Sequence, residues 1–247
     1  MSSPGGADAP WIAVIDYGMG NQRSVEKALE RLGATASITR DPAELGAADG
    51  LVLPGVGAFP LAMRNLRELG LAELIRARVE DEVPLLGICL GMQLLFESSR
   101  ELERTEGLGL IPGDVTLLQT GGLRVPHIGW NEVRFERRSP LTEGLPADGC
   151  AFYHVHSFAP RPSERADLVG STEYGERFAT IVERGRVFGV QFHPEKSSGD
   201  GLRLLENFVA TCDGTGASSG PQGAAGRAGH SASGLAGSAR ARLIRRA

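Results

Sequence analysis

Three short motifs carry side chains able to do covalent chemistry. The first is Gly87-Ile88-Cys89-Leu90-Gly91, a thiol with glycine two positions away on either side. A sharp strand-to-helix turn strains the residue at its apex, and flanking glycines relieve the crowding that side chains would create. Such a turn pushes the thiol outward. At the start of the following helix, the macrodipole and unpaired backbone N–H groups favour thiolate over thiol and can also receive an oxyanion. The pentapeptide therefore reads as a reactive cysteine. The alternative is a small apolar residue buried at a strand end, the commoner fate of a free Cys.

A thiol nucleophile usually needs a base, and the one His followed closely by a carboxylate is His193, in Phe192-His193-Pro194-Glu195. Pro194 restricts its predecessor to extended geometry, so His193 and Glu195 project to the same side of a chain leaving a strand. Glu195 can then orient the imidazole, completing a nucleophile, base and orienter that are distant in sequence and close in the fold. The third motif is Pro54-Gly55-Val56-Gly57, after the apolar run at 51–53. Ligands of open α/β sheets gather at carboxyl strand ends, which brings this loop and Cys89 to one crevice. Considered alone it is equally a plain turn.

These motifs need a scaffold, and the first half of the chain supplies a β-α-β rhythm. Residues 12–15, 51–53 and 84–88 read as buried strands. Residues 21–32 (with Asn21 as cap and Gly33 as stop), 62–69, 71–79 and 90–97 read as helices. The expected fold is α/β, a mostly parallel central sheet flanked by helices. From residue 114 the pattern changes to short strands at 115–118, 132–135, 152–158, 179–182 and 187–192, followed by a closing helix at 201–211. Antiparallel strands are thus expected in the second half. No internal repeat is present.

Composition limits the rest. Hydrophobic residues at 41% and charged residues at 23% place the 247-residue chain among ordinary globular proteins. A formal charge of −4 gives no global electrostatic reason to bind nucleic acid or an anionic membrane. Cys89, Cys150 and Cys212 lack CxxC spacing, so neither a disulfide framework nor a zinc cluster is indicated. His127, His154 and His156 lack accompanying carboxylates at metal-ligand spacing and read as structural or loop histidines, so no metal is expected. Residues 1–10 hold no Lys or Arg, and the apolar run that follows meets Asp16 too soon for a signal-peptide core. The run at 83–96, broken by Gln93, is shorter than the roughly 18 apolar residues of a membrane helix. A cytoplasmic protein is the expectation.

Composition shifts after Cys212. Residues 213–247 contain 8 Gly, 9 Ala and 5 Ser, with five Arg against Asp213. Such a segment cannot bury enough apolar surface to offset its ordering entropy. The expected organisation is a flexible N-terminus at 1–10, one folded domain at 11–212 and a disordered basic tail at 213–247.

Together the three motifs resemble those of the class I, triad-type glutamine amidotransferases, and the resemblance spans residues 11–211. Within that family the chain is similar to the histidine-biosynthetic branch, the glutaminase subunits of imidazole glycerol phosphate synthase. Branch features are Asp16-Tyr17-Gly18-Met19-Gly20-Asn21, the PGVG loop, Pro126-His127-Ile128-Gly129-Trp130-Asn131, His156-Ser157-Phe158, and Lys196-Ser197 after Glu195. The resemblance implies a single amidotransferase domain in which Cys89 attacks the glutamine carboxamide, with His193 and Glu195 as base and orienter and no cofactor. It implies an oxyanion hole from the N–H of Leu90 and one from Gly55, Val56 or Gly57. It further implies glutamine contacts at Gln93, Glu101 (for the α-ammonium), Ser157 and Phe158, the last standing where a tyrosine is expected. Its implied partner is a separate (β/α)8-barrel cyclase subunit that receives ammonia and forms imidazole glycerol phosphate and AICAR. Trp130, Tyr153 and Lys196 match that interface; core aromatics and a solvated charge are the alternatives. Another amidotransferase pathway, such as anthranilate or pyridoxal phosphate synthesis, and a stand-alone γ-glutamyl cysteine hydrolase are competing readings.

Overall fold

A computed structural model describes residues 9–213. The expectations for residues 1–8 and for the tail at 214–247 lie outside the described residues. Strands β1 (Trp11–Ile15), β2 (Thr35–Thr39), β3 (Gly50–Gly55) and β4 (Leu85–Cys89) alternate with α1 (Gln22–Arg31), α2 (Pro42–Ala47), α3 (Phe59–Glu68) and α4 (Leu71–Glu80). After the short helix α5 (Leu90–Leu94) come β5 (Phe96–Ser99), β6 (Thr105–Glu106), β7 (Ile111–Leu117), β8 (His127–Phe135), β9 (Cys150–His156) and β10 (Phe158–Pro162). The chain closes with β11 (Leu168–Glu173), β12 (Arg177–Arg184), β13 (Val187–Val190) and α6 (Ser198–Cys212).

Nine strands form one sheet in the order β2-β1-β3-β4-β13-β12-β11-β8-β9. The pairs from β2 to β13 are parallel, and those from β13 to β9 are antiparallel, as the change of pattern along the sequence requires. A second sheet has the order β10-β7-β5-β6. Alternation along the strands divides the core in two. Ala13, Ile15, Leu51 and Leu53 bury against α2, α3 and α4 through Leu45, Phe59, Met63 and Ile75. Ile12, Val14, Val52 and Ile88 bury on the other face against α1 and α6 through Val25, Leu29, Leu204 and Phe208. Both faces of the parallel half are therefore covered, which is why its strands read as continuous apolar runs. No helix among the described residues is long and apolar enough to cross a membrane.

Three expectations are corrected. The helix expected at 90–97 ends at Leu94, and Phe96–Ser99 is a strand. The carbonyls that would continue the helix are taken by another segment: Leu108 N–H donates to the Leu94 carbonyl, and Leu110 and Ile111 N–H to that of Leu95, at 2.8–3.0 Å. The strand expected at 152–158 is two strands in different sheets, separated at Ser157. Asn21 occupies the N-cap position of α1 but makes no side-chain capping bond. Strand β2 and helix α2 were not expected; Asp41 caps α2 by accepting from Ala43 N–H at 2.7 Å, ahead of Pro42.

The elbow after β4 depends on close approach. A Cβ at Gly91 would stand 1.7 Å from the Leu53 carbonyl oxygen, and one at Gly87 would stand 2.7 Å from that of Gly91. Helix α5 can lie on β3 and β4 only because neither side chain exists. Gly91→Ala is expected to destabilise the domain by about 3 kcal/mol, the upper range for overpacking. Urea unfolding beside the wild type measures it, and an unchanged midpoint would contradict the contact.

Candidate active site

Cys89 sits at the elbow with φ 55° and ψ −111°, left-handed territory that costs a non-glycine residue about 1–3 kcal/mol. Its Sγ lies 3.7 Å from the Val155 carbonyl oxygen and accepts from Gln191 Nε2 at 3.8 Å. Beta-13 runs parallel beside β4, so the chain leaving it arrives next to the elbow. There Gln191 N–H donates to the Thr180 carbonyl, and His193 N–H to the Tyr153 carbonyl, each at 2.9 Å. Phe192 stacks on Phe152 with ring centroids 3.9 Å apart. Main chain and neighbouring side chain together aim His193 at the thiol.

His193 Nδ1 lies 3.0 Å from Glu195 Oε1, the same-side geometry expected from the intervening proline. The carboxylate accepts Nδ1–H, leaving Nε2 as the nitrogen available to the site. Burial disfavours the imidazolium, but the Cys89 sulfur and the Glu195 carboxylate outweigh it and raise the pKa from 6.5 to about 9. This arrangement holds a proton on the imidazole beside the sulfur.

Both groups open on a cavity of about 330 Å³, the size of a single amino-acid ligand with its water. Val56, Gly57, Leu90, Gln93, Glu101, Ser157 and Phe158 line it, and so does Lys196, which the resemblance assigned to the partner interface. Gly55 does not. It is buried one step behind, paired with Cys89 across β3 and β4, and a Cβ there would meet Tyr17 Oη at 2.3 Å. The exposed donors of the loop are therefore those of Val56 and Gly57, the latter at φ 109°. Gln93 is buried and donates through Nε2 to the Phe158 carbonyl at 2.9 Å and to Gln191 Oε1 at 3.0 Å. Glu101 Oε2 accepts from Phe59 N–H at 2.8 Å, which fixes its carboxylate at the wall. Glu195 lies behind His193. Trp130 and Tyr153 stand outside the cavity, opposed across β8 and β9 with ring centroids 6.1 Å apart. Trp130 is 53% exposed.

The sequence motifs do not single out Gln191 or Ser197, although Ser197 falls within Lys196-Ser197 and Gln191 directly precedes Phe192-His193-Pro194-Glu195. Ser197 Oγ accepts from Tyr153 N–H at 3.0 Å and donates to the His193 carbonyl at 2.7 Å, tying His193 to β9. Pro126, Val155 and His156 also line the cavity.

Residues 13–212 match the family model described as glutamine amidotransferase class-I. The chain belongs to the class-I glutamine amidotransferase family. It is 55% identical over 197 residues, 80% of this chain and 93% of the relative, to imidazole glycerol phosphate synthase subunit HisH of Moorella thermoacetica. It is 50% identical over 196 residues to the subunit of the same name from Aquifex aeolicus, covering 79% of this chain and 94% of the relative. A solved glutamine amidotransferase covers 81% of this chain and 98% of its own with a TM-score of 0.65 at 23% identity. PurLQS from Thermotoga maritima gives a TM-score of 0.66 at 21% identity over 82% of this chain and 98% of its own. These two likenesses concern the fold.

In this amidotransferase three histidines meet at the cavity wall, and His156 helps to line it. His156 Nδ1–H donates to the Phe158 carbonyl at 2.9 Å, His127 donates to His156 Nε2 at 3.1 Å, and Asn131 Nδ2 donates to His127 Nε2 at 3.3 Å. His154 bridges the Phe152 carbonyl and the Thr180 hydroxyl. Each ring nitrogen is thereby satisfied with neutral imidazoles. Burial pushes all three pKa values down, that of His156 to about 3 and that of His154 well below 6.5. Among the described residues no group of three or more His, Cys, Asp or Glu is arranged to hold a metal ion.

The two histidine environments act oppositely on stability. Below pH 6.5 the unfolded chain binds protons that the cluster refuses, so stability falls as pH falls toward 3. His193 binds its proton more tightly in the folded state; that contribution is complete below pH 6.5 and is lost as pH rises through 9. The urea midpoint of the amidotransferase is expected to peak near pH 6.5. His154→Phe should flatten the acid limb, and Glu195→Gln the alkaline one. Limbs unchanged by either substitution would refute the assignment of those protons.

Proposed function

We propose that the chain is the glutaminase subunit of an imidazole glycerol phosphate synthase, working in the cytoplasm with a separate (β/α)8-barrel cyclase subunit. The observation that carries this reading is the meeting of Cys89, the His193–Glu195 pair and the Gln93, Glu101 and Phe158 wall at one amino-acid-sized cavity. Cys89 Sγ forms a bond to the carboxamide carbon of glutamine, and its thiol proton resides on His193. The tetrahedral oxyanion is held by N–H groups of Leu90 and of Val56 or Gly57. The C–N bond then breaks, and ammonia leaves with the proton from His193 Nε2. A γ-glutamyl thioester remains. His193 next takes a proton from water as its oxygen attacks the thioester, and glutamate departs from the restored thiolate. Glu195 keeps the imidazole in the tautomer both steps need.

Ammonia released here is useful only if a second subunit consumes it, and the acceptor chemistry belongs to the cyclase. Trp130, Tyr153 and Lys196 form the proposed docking face. Tyr153 connects that face to the site, since its main chain holds both His193 and Ser197. The Val56 peptide plane, flanked by two glycines, is the second point of control.

Glutamine-analogue electrophiles should label Cys89 before Cys150 or Cys212, whose thiols burial pushes up to about 12. Cys89→Ala should abolish glutamate release with the fold intact. Labelling of Cys212 first, or full activity in the variant, would sink the assignment.

Glutamate release by the isolated chain should be slow, and should rise with cyclase and again with cyclase plus an acceptor analogue. One oxyanion donor turned into place is worth about 10²–10³ in rate. Equal turnover in all three conditions would favour a constitutive hydrolase.

A further inference from the structure

We infer that Asn21 is a positioning residue for the catalytic pair, holding the Glu195 carboxylate that orients His193; this rests on the glutaminase reading above. A residue at a helix N-cap ordinarily spends its side chain on backbone N–H groups of the first turn. Asn21 does not. Its Nδ2 lies 3.3 Å from Glu195 Oε1, the same oxygen that accepts Nδ1–H of His193 at 3.0 Å. An ionised carboxylate only accepts, so the amide must present its nitrogen to it. The other end of the amide is fixed as well: Ser24 Oγ–H donates to Asn21 Oδ1 at 2.8 Å. A chain results in which Ser24 donates to Asn21, and Asn21 and His193 both donate to Glu195, ending beside Cys89.

The carboxylate has need of this support. Its side chain is 1% exposed, and Oε2 is buried with no hydrogen-bond partner among the described residues. Without Asn21, His193 would be its remaining hydrogen-bond partner among those residues, and a carboxylate held at one point can turn about its terminal torsion. The imidazole would turn with it. Asn21 also belongs to the loop that supports the opposite wall. Tyr17 Oη donates to the Pro54 carbonyl at 2.9 Å, and Met19 Cε lies where a Cβ on Gly57 would stand, 2.6 Å away. One loop after β1 thus serves both the orienting carboxylate and the oxyanion segment.

The test uses the full chain bound to its cyclase, with Asn21→Ala, Asn21→Asp and Ser24→Ala. Asn21→Ala should lower kcat for glutamate release about tenfold, the scale of one hydrogen bond to a charged group, with KM within twofold. Ser24→Ala, which releases only the amide, should lower kcat by a smaller factor. Asn21→Asp sets a second carboxylate against Glu195, so one of the two holds a proton to higher pH. Its acid limb in kcat/KM should move to higher pH by at least half a unit. The rate of Cys89 alkylation by iodoacetamide against pH should shift in the same direction. Wild-type kcat in Asn21→Ala, or an Asn21→Asp profile superimposable on the wild type, would overturn the inference. If the wild type itself releases no glutamate, the glutaminase reading fails, and the alkylation profile still decides the role of Asn21.

Discussion

The site depends on the approach of Gly91 to the Leu53 carbonyl. With α5 pressed onto β3 and β4, the residue between strand and helix is Cys89, held at φ 55° and ψ −111°. The rest of the site follows from the sheet order. Beta-3 lies on one side of the elbow strand and contributes Val56 and Gly57. Beta-13 lies on the other and contributes Gln191 and His193. The proposed nucleophile, donors and base therefore come from adjacent strand ends and need no long loops to meet. Rigid neighbours in a sheet fix such distances better than loops can.

The second half of the chain closes the cavity by leaving one sheet for the other. Beta-9 pairs with β8 in the large sheet, the chain breaks at Ser157, and β10 pairs with β7 in the small one. Ser157 and Phe158 line the cavity because they stand at that seam. The Phe158 carbonyl is gripped by Gln93 from the elbow helix and by His156 from β9, so the seam is tied to both halves. Neutral histidines suit this task, since each offers one donor and one acceptor in a place where a charge would be costly.

Motifs whose chemistry is set by covalent neighbours were legible in the sequence. Cys89 between glycines and His193-Pro194-Glu195 both gave their local geometry, because a tight turn and a proline constrain the backbone whatever surrounds them. The parallel half was legible from continuous apolar strands. What escaped depended on competition between distant segments. The end of α5 is decided by Leu108, Leu110 and Ile111 taking carbonyls that propensity assigns to the helix. The break at Ser157 is decided by which sheet each flank joins. Asn21 looks like an ordinary cap until its side chain is seen to serve a carboxylate 174 positions away. Helix α2 is different: Asp41-Pro42 is a local start signal and could have been read.

The backbone strain at Cys89 has a consequence for the history of such a chain. The fold would hold the elbow more comfortably with glycine at position 89, since only glycine occupies that region without steric cost. On the proposed chemistry, selection for stability and selection for turnover pull in opposite directions at this one residue. A domain released from catalysis gains nothing by keeping a strained thiol at its elbow.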